Sequence, residues 1–187
     1  MTNTTRDKML ETTTRLLRTQ GFNGTGLNQI IKESKTPKGS LYYHFPGGKE
    51  QLAAEAIQAA GQTMVLRMQE AFDLTKTPRQ ALTAIIRVSA EELEASDYQC
   101  GCPIATVALE VAGSEGAVRD ACQQAFVSAE EMLVRNLGAA GFSDDHAQSL
   151  AELMVTTYEG GLLLSRALRS TQPLTNLLKS LPLLLPE

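Results

Sequence analysis

Within Pro37-Lys38-Gly39-Ser40-Leu41-Tyr42-Tyr43-His44-Phe45, an ammonium, a hydroxyl, two phenols and an imidazole crowd into nine consecutive residues. Nowhere in the chain do such groups form a nucleophile–base pair, a phosphate loop or a metal motif, so the chain reads as a binder and not as an enzyme. Cationic and hydroxyl donors beside apolar ring surface suit phosphates and base edges. A short helix and a tight turn precede the segment. The arrangement is therefore that of a helix-turn-helix whose second helix would enter a DNA groove.

The overall charge argues the other way. The chain has 187 residues and a formal net charge of −4, which is unusual for a nucleic-acid binder. The charge is unevenly spread, however. Residues 1–50 carry eight basic against four acidic side chains, and the remainder nine against seventeen. A basic head on an acidic body fits a DNA-binding domain attached to something else. A charge run is more often only a solvated face, so the asymmetry needs a motif beside it.

Apolar residues make up 43% and charged residues 20% of the chain, ample for a sizeable core and unlike a disordered protein. Met1 to Arg6 lacks the apolar run of a signal peptide. The longest apolar stretches, Gly160–Leu164 and Leu181–Leu185, fall short of the ~20 residues a membrane span needs. Cys100, Cys102 and Cys122 are an odd set, against a secreted disulfide framework. A cytoplasmic protein is expected.

The elements that must position the basic segment read as all-α. A first helix spans about Thr4 to Gln20, with Met9, Leu10, Thr13, Leu16 and Leu17 on one face and Gly21 as its stop. Asn23 to Gly26 is a loop in which Thr25 or Gly26 caps a second helix, Leu27 to about Ser34, burying Leu27, Ile30 and Ile31. Thr36 is expected as the cap and Pro37 as the first residue of the third helix, with Leu41 and Phe45 on its inner face. After Pro46-Gly47-Gly48 a long helix runs from Lys49 to about Leu74. Further helices start at Thr77-Pro78, Pro103, Gly113-Ser114, Ser143-Asp144-Asp145 and Pro173. Residues 1–48 would form the helix-turn-helix domain, and 49–187 a helical effector-binding and dimerisation domain.

Gly21-Phe22, Thr25, Ile30, the run Lys38 to Phe45 and Lys49-Glu50-Gln51-Leu52 resemble the DNA-binding signature of TetR-family repressors. The resemblance covers about residues 5–55 at fixed spacings. Gly47 to Ala53 and Gly101-Cys102-Pro103-Ile104-Ala105 are further similar to the LmrA/YxaF branch. The resemblance implies a three-helix DNA domain, a C-terminal ligand domain and a homodimer. It departs at the turn, where Ser34-Lys35-Thr36-Pro37 lacks the usual glycine, so Lys35 needs another backbone geometry there. Ile31 also stands where alanine is frequent.

Within that pattern each group takes a role. Lys38 can reach a guanine edge or a phosphate, and Gly39 allows close approach to the sugar-phosphate chain. Ser40, Tyr42, Tyr43 and His44 can serve phosphates or a thymine methyl. Lys49 would hold a phosphate together with helix N-terminal amides, and Thr25, Gly26 and Asn28 would touch the other strand's backbone. Taken alone, Tyr42 reads as core packing and His44 as a surface histidine; the full pattern reverses both. Affinity for a duplex depends on phosphates neutralised locally, with a salt slope of about −0.9 per contact, so a few cations on each of two subunits suffice.

The rest of the chain suggests a regulated body. Met64, Met68, Phe72, Cys102, Phe126, Met154 and Tyr158 could line an apolar pocket or be ordinary core. Tyr158, Gly160, Gly161 and Leu164 are the candidate dimer seam, since small residues let helices approach closely. Two thiols near one another, with only His44 and His146 elsewhere, make a poor tetrahedral metal site. The expected protein is a homodimeric repressor of nearby efflux or detoxification genes. It reads a near-palindromic operator in double-stranded DNA, is released by an apolar or aromatic small molecule, and needs no cofactor and no membrane. The alternatives are a redox- or metal-responsive regulator using Cys100 and Cys102, or a helical interaction protein without an operator.

Overall fold

The computed structural model describes residues 4–185. Among them stand nine α-helices and no strand: α1 (Thr5–Gly24), α2 (Leu27–Ser34), α3 (Lys38–His44), α4 (Gly48–Asp73), α5 (Pro78–Ala95), α6 (Pro103–Val111), α7 (Ala117–Ala139), α8 (Asp144–Leu168) and α9 (Gln172–Leu184). Packing divides them into two units. One holds the residues up to Gln62 together with Cys102–Ala125; the other holds Thr63–Gly101 and the residues from Phe126 on. This packing division differs from the functional boundary expected at residues 48 and 49. The first part of α4 stays with α1–α3, and α6 with the start of α7 joins them.

The first unit encloses one small core. Met9, Leu16, Ile30, Leu41, Phe45 and Leu52 are buried together, and Leu10, Leu27 and Ile31 are half-buried against them. Helices as short as α2 and α3 hold only because this cluster is shared among them. A capping box starts α1: Thr4 Oγ1 accepts from the Asp7 N–H (3.2 Å) while the Asp7 carboxylate accepts from the Thr4 N–H (3.0 Å). The regular helix breaks at Gly21, whose φ of 74° is the left-handed stop the sequence predicts, and one more turn follows to Gly24.

The turn between α2 and α3 corrects one expectation. Lys35 takes the left-handed conformation (φ 54°, ψ 39°) that glycine usually supplies. Pro37, not Thr36, is the residue flanking α3, which starts at Lys38 without a side-chain cap. Thr36 is buried instead, its hydroxyl 2.7 Å from Ser34 Oγ. A hydroxyl that finds a partner inside the turn is not available to cap the helix outside it.

In the second unit, Thr77 caps α5 as expected, accepting from the Gln80 N–H at 3.3 Å. Helices α8 and α9 meet through Gly161, where a Cβ would lie 3.3 Å from Leu174 Cα and Leu177 Cδ1. The fully buried Ser165 hydroxyl accepts from the Leu174 N–H (3.0 Å), satisfying an orphan donor in the first turn of α9. Ser114 does not cap α7: that helix begins at Ala117, and the Ser114 hydroxyl donates back to the Val111 carbonyl (2.8 Å).

Candidate nucleic-acid interface

Helix α3 is held from behind and presented outward. Leu41 and Phe45, four residues apart, are both fully buried, which fixes the rotation of a seven-residue helix. The same rotation exposes Lys38, Gly39, Tyr42 and Tyr43, while Ser40 and His44 are half-buried. Tyr43 is 82% exposed and Tyr42 54%. Tyr42 is thus no part of the core. The Tyr43 and His44 rings meet edge to face with their centroids 4.9 Å apart, so the two brace one another.

Gly39 is informative because nothing in the fold requires it. A Cβ there would meet no heavy atom within 4 Å, and glycine in a helix costs ~1 kcal/mol against alanine. Internal packing gives no return for that cost. Close approach of an external backbone would.

The other expected contacts divide. Gly26 is the residue flanking α2 and, like Asn28, is exposed. Thr25 is buried: its hydroxyl donates to the Gly21 carbonyl (2.6 Å) and its N–H to the Phe22 carbonyl (3.2 Å). Its side chain closes the α1–α2 turn, and a phosphate would find no group of Thr25 to bind. Lys49 is half-buried in the first turn of α4, its Nζ 4.3 Å from the centre of the Phe22 ring. Among the other cations of this unit, Arg6 pairs with Glu55 and Arg15 with Glu33. Lys32, Lys35 and Lys38 are exposed on α2, the turn and α3.

Of the expected pocket residues, Met64, Met68, Phe72, Phe126, Met154 and Tyr158 fall in the second unit, and Cys102 in the first. Cys102 is buried, and its Sγ accepts from the Ala105 N–H (3.5 Å) at the start of α6. The Tyr158 hydroxyl lies 2.8 Å from Ser89 Oγ, joining α8 to α5. In the same unit the Asn136 side-chain amide donates to Gln69 Oε1 (2.9 Å), a polar pair between α7 and α4 that residue type and spacing do not announce. Of the expected seam, Gly161 is buried against α9 of its own chain, whereas Gly160 has open space and Leu164 is 53% exposed.

The thiols do not form a reactive pair of equals. Burial pushes the Cys122 thiol up to about 11, so it stays protonated near neutrality. Cys102 is buried and Cys100 half-buried. Among the described residues no group of three His, Cys, Asp or Glu side chains is placed to hold a metal ion. No helix among them is long and apolar enough to cross a membrane.

One residue has a role that its sequence position barely suggests. Glu110, in the last turn of α6, accepts from the Asn23 N–H at 2.6 Å. An acid at the negative end of a helix is the only sequence sign of it, and a faint one.

Comparison with known proteins gives the family and the fold. Residues 9–56 match the family described as bacterial regulatory proteins, tetR family. Residues 78–180 match the C-terminal domain described as transcriptional regulator LmrA/YxaF-like. The chain is 36% identical to the uncharacterized HTH-type transcriptional regulator YxaF of Bacillus subtilis, over 96% of this chain and 94% of that one. It is 35% identical to the HTH-type transcriptional regulator LmrA of the same organism, over 96% of each. The fold superposes on the reduced form of E. coli NemR with a TM-score of 0.84 at 22% identity, covering 97% of both chains. A TetR transcriptional regulator from Legionella pneumophila gives 0.85 at 18% identity, again over 97% of both.

Proposed function

The chain belongs to the TetR family of bacterial transcriptional regulators, with a C-terminal domain of the LmrA/YxaF-like type, and we propose that it works there as a homodimeric, cytoplasmic repressor released by a small molecule. DNA binding comes with the family. The observation that carries the finer reading is α3, anchored by buried Leu41 and Phe45 while Lys38, Gly39 and an 82% exposed Tyr43 face outward. Two copies of this helix would read a near-palindrome whose half-sites lie about one turn, ~34 Å, apart. Gly26 and Asn28 at the start of α2 would hold the backbone, with Ser40, Tyr42 and His44 as flanking contacts.

The dimer seam is drawn from α8. Leu153, Gly160 and Leu164 recur at spacings of seven and four, so they share a stripe, and both leucines are exposed. An unpartnered apolar stripe on a helix favours a second copy of the chain. Gly161 has no part in it, being covered by α9. The effector would be apolar or aromatic and enter the second unit among Met64, Met68, Phe72, Phe126, Met154 and Tyr158. To turn a mostly bound repressor into a mostly free one, it must prefer the released conformation by about 5 kcal/mol. Efflux or detoxification genes are the targets this chemistry suits.

Genome-wide footprinting of the purified protein tests the reading, followed by a thermal-shift screen of aromatic ligands on the same protein. Expected are protected near-palindromes and a compound that both raises the melting temperature and clears the footprint. Protection that no stabilising compound reverses would contradict ligand release.

A further inference from the structure

We propose that Glu110 is a positioning residue for the DNA-reading unit, setting the α1–α2 turn through the backbone N–H of Asn23. Gly21 breaks α1 with φ 74° and ψ −176°. The new turn that follows has no helix carbonyls before it to take up its N–H groups. Thr25 closes the turn from one side, through the Gly21 and Phe22 carbonyls. From the other side Glu110 Oε2 accepts from the Asn23 N–H at 2.6 Å. Its Oε1 occupies the space beside Gly21 that any Cβ at that position would need. Gly21 is therefore required twice, for its φ and for the carboxylate seated on it.

A second contact between an acid and a glycine lies in the same unit. Gly116, just ahead of α7, has φ 142°, and a Cβ there would meet Glu50 Oε1 of α4 at 2.5 Å. An acid from α6 thus rests on a glycine of α1, and an acid from α4 on a glycine before α7. An acid in the last turn of α6 opposes that helix's own dipole, and a charge-assisted hydrogen bond to a backbone N–H offsets this. Glu110 lies within residues 78–180, the LmrA/YxaF-like domain by sequence, yet it packs in the unit that holds α1–α3. What α6 does is thereby felt at the turn leading into Gly26 and Asn28. This inference rests on the DNA-binding role.

The test uses a DNA duplex selected from a random pool by the full-length wild-type protein. Affinity, melting temperature and oligomeric state are measured for the wild type, Glu110→Ala, Glu110→Gln and Lys38→Ala. Glu110→Ala should lower affinity about fivefold or more, the lower range of couplings between sites, with little change in melting temperature. Glu110→Gln keeps a carbonyl acceptor for Asn23 and should restore most of the affinity. If Glu110→Ala does not fold, Glu110→Asp, too short to reach, replaces it. Unchanged affinity in Glu110→Ala, or a loss in Glu110→Gln as large as in Glu110→Ala, overturns the inference. If Lys38→Ala loses binding while Glu110→Ala does not, only this inference falls. A wild type that selects no duplex overturns the DNA-binding role and this inference with it.

Discussion

Ser34 Oγ and Thr36 Oγ1 lie 2.7 Å apart inside the helix-turn-helix, and the residue between them, Lys35, takes a left-handed φ of 54°. The turn therefore replaces a glycine with a strained lysine and two mutually satisfied buried hydroxyls. A non-glycine residue in that conformation costs roughly 1–2 kcal/mol, and the hydroxyl pair fixes the geometry that α3 departs from. Lys35→Gly should leave the fold intact and raise its stability. Thr36→Val should lower stability by about 0.5–1.5 kcal/mol, the net worth of one hydrogen bond, because the Ser34 hydroxyl keeps the Ile31 carbonyl at 3.3 Å. Denaturant titration of both variants checks the pair; equal effects of the same sign would contradict this account of the turn.

Gly39 separates stability from function. Alanine there fills open space, so Gly39→Ala should stabilise the free protein by up to ~1 kcal/mol. The same methyl stands where a DNA backbone would approach, so affinity for a selected duplex should fall. Thermal unfolding and fluorescence anisotropy on one sample read both effects. A gain in stability with undiminished affinity would show that Gly39 is not at the interface.

The adjacent glycines of α8 make a similar pair. At Gly161 a larger side chain must push against Leu174 Cα and Leu177 of α9, 3.3 Å from the position of a Cβ. Gly161→Leu should cost about 1–3 kcal/mol by overpacking. Gly160→Ala meets no neighbour of its own chain within 4 Å and should gain up to ~1 kcal/mol in the separated protomer from helix propensity, while its methyl in the proposed seam should weaken dimerisation. Urea unfolding midpoints of the two variants, measured at concentrations where protomers are separate, should move in opposite directions.

Cys122 gives a pH signature. Its thiol, ordinarily near 9.0, is raised to about 11 by burial, so the folded state holds this proton more tightly than the unfolded chain does. The stability it contributes is present below pH 9 and is lost as pH rises toward 11. Other groups titrate in that range, so the measurement is a difference: wild type minus Cys122→Ala should lose stability between those limits. A flat difference would contradict the burial effect. In the native protein at neutral pH a thiol reagent should spare Cys122 and modify Cys100 first.

Much of this architecture is legible in the sequence because local chemistry and packing agree. The three- and four-residue spacings of Met9, Thr13, Leu16 and Leu17 in α1, and of Leu41 and Phe45 at α3, mark the faces that are buried. Thr77-Pro78 marks a helix start that forms as written. Misreadings cluster where one polar side chain has two possible partners. Thr36 and Thr25 are good caps and good phosphate ligands by type, but each finds a buried acceptor or hydroxyl nearby. Ser114 turns back to α6 for the same reason. Gly161 shows that a small residue signals close approach without saying which helix approaches. Glu110 leaves only a faint sign because its partner is a backbone N–H eighty-seven residues away.

The central claim is that α3 reads DNA through its exposed face. The most direct measurement is the affinity of the Lys38→Ala, Tyr43→Ala double variant for a duplex selected by the wild type, titrated across salt concentrations. Both side chains are exposed and outside the core, so fold and oligomeric state should be unchanged. Binding should be abolished, and any residual binding should show a salt slope shallower by about one unit for each phosphate that Lys38 neutralises in the wild type. Wild-type affinity with a wild-type salt slope in the double variant would contradict the account.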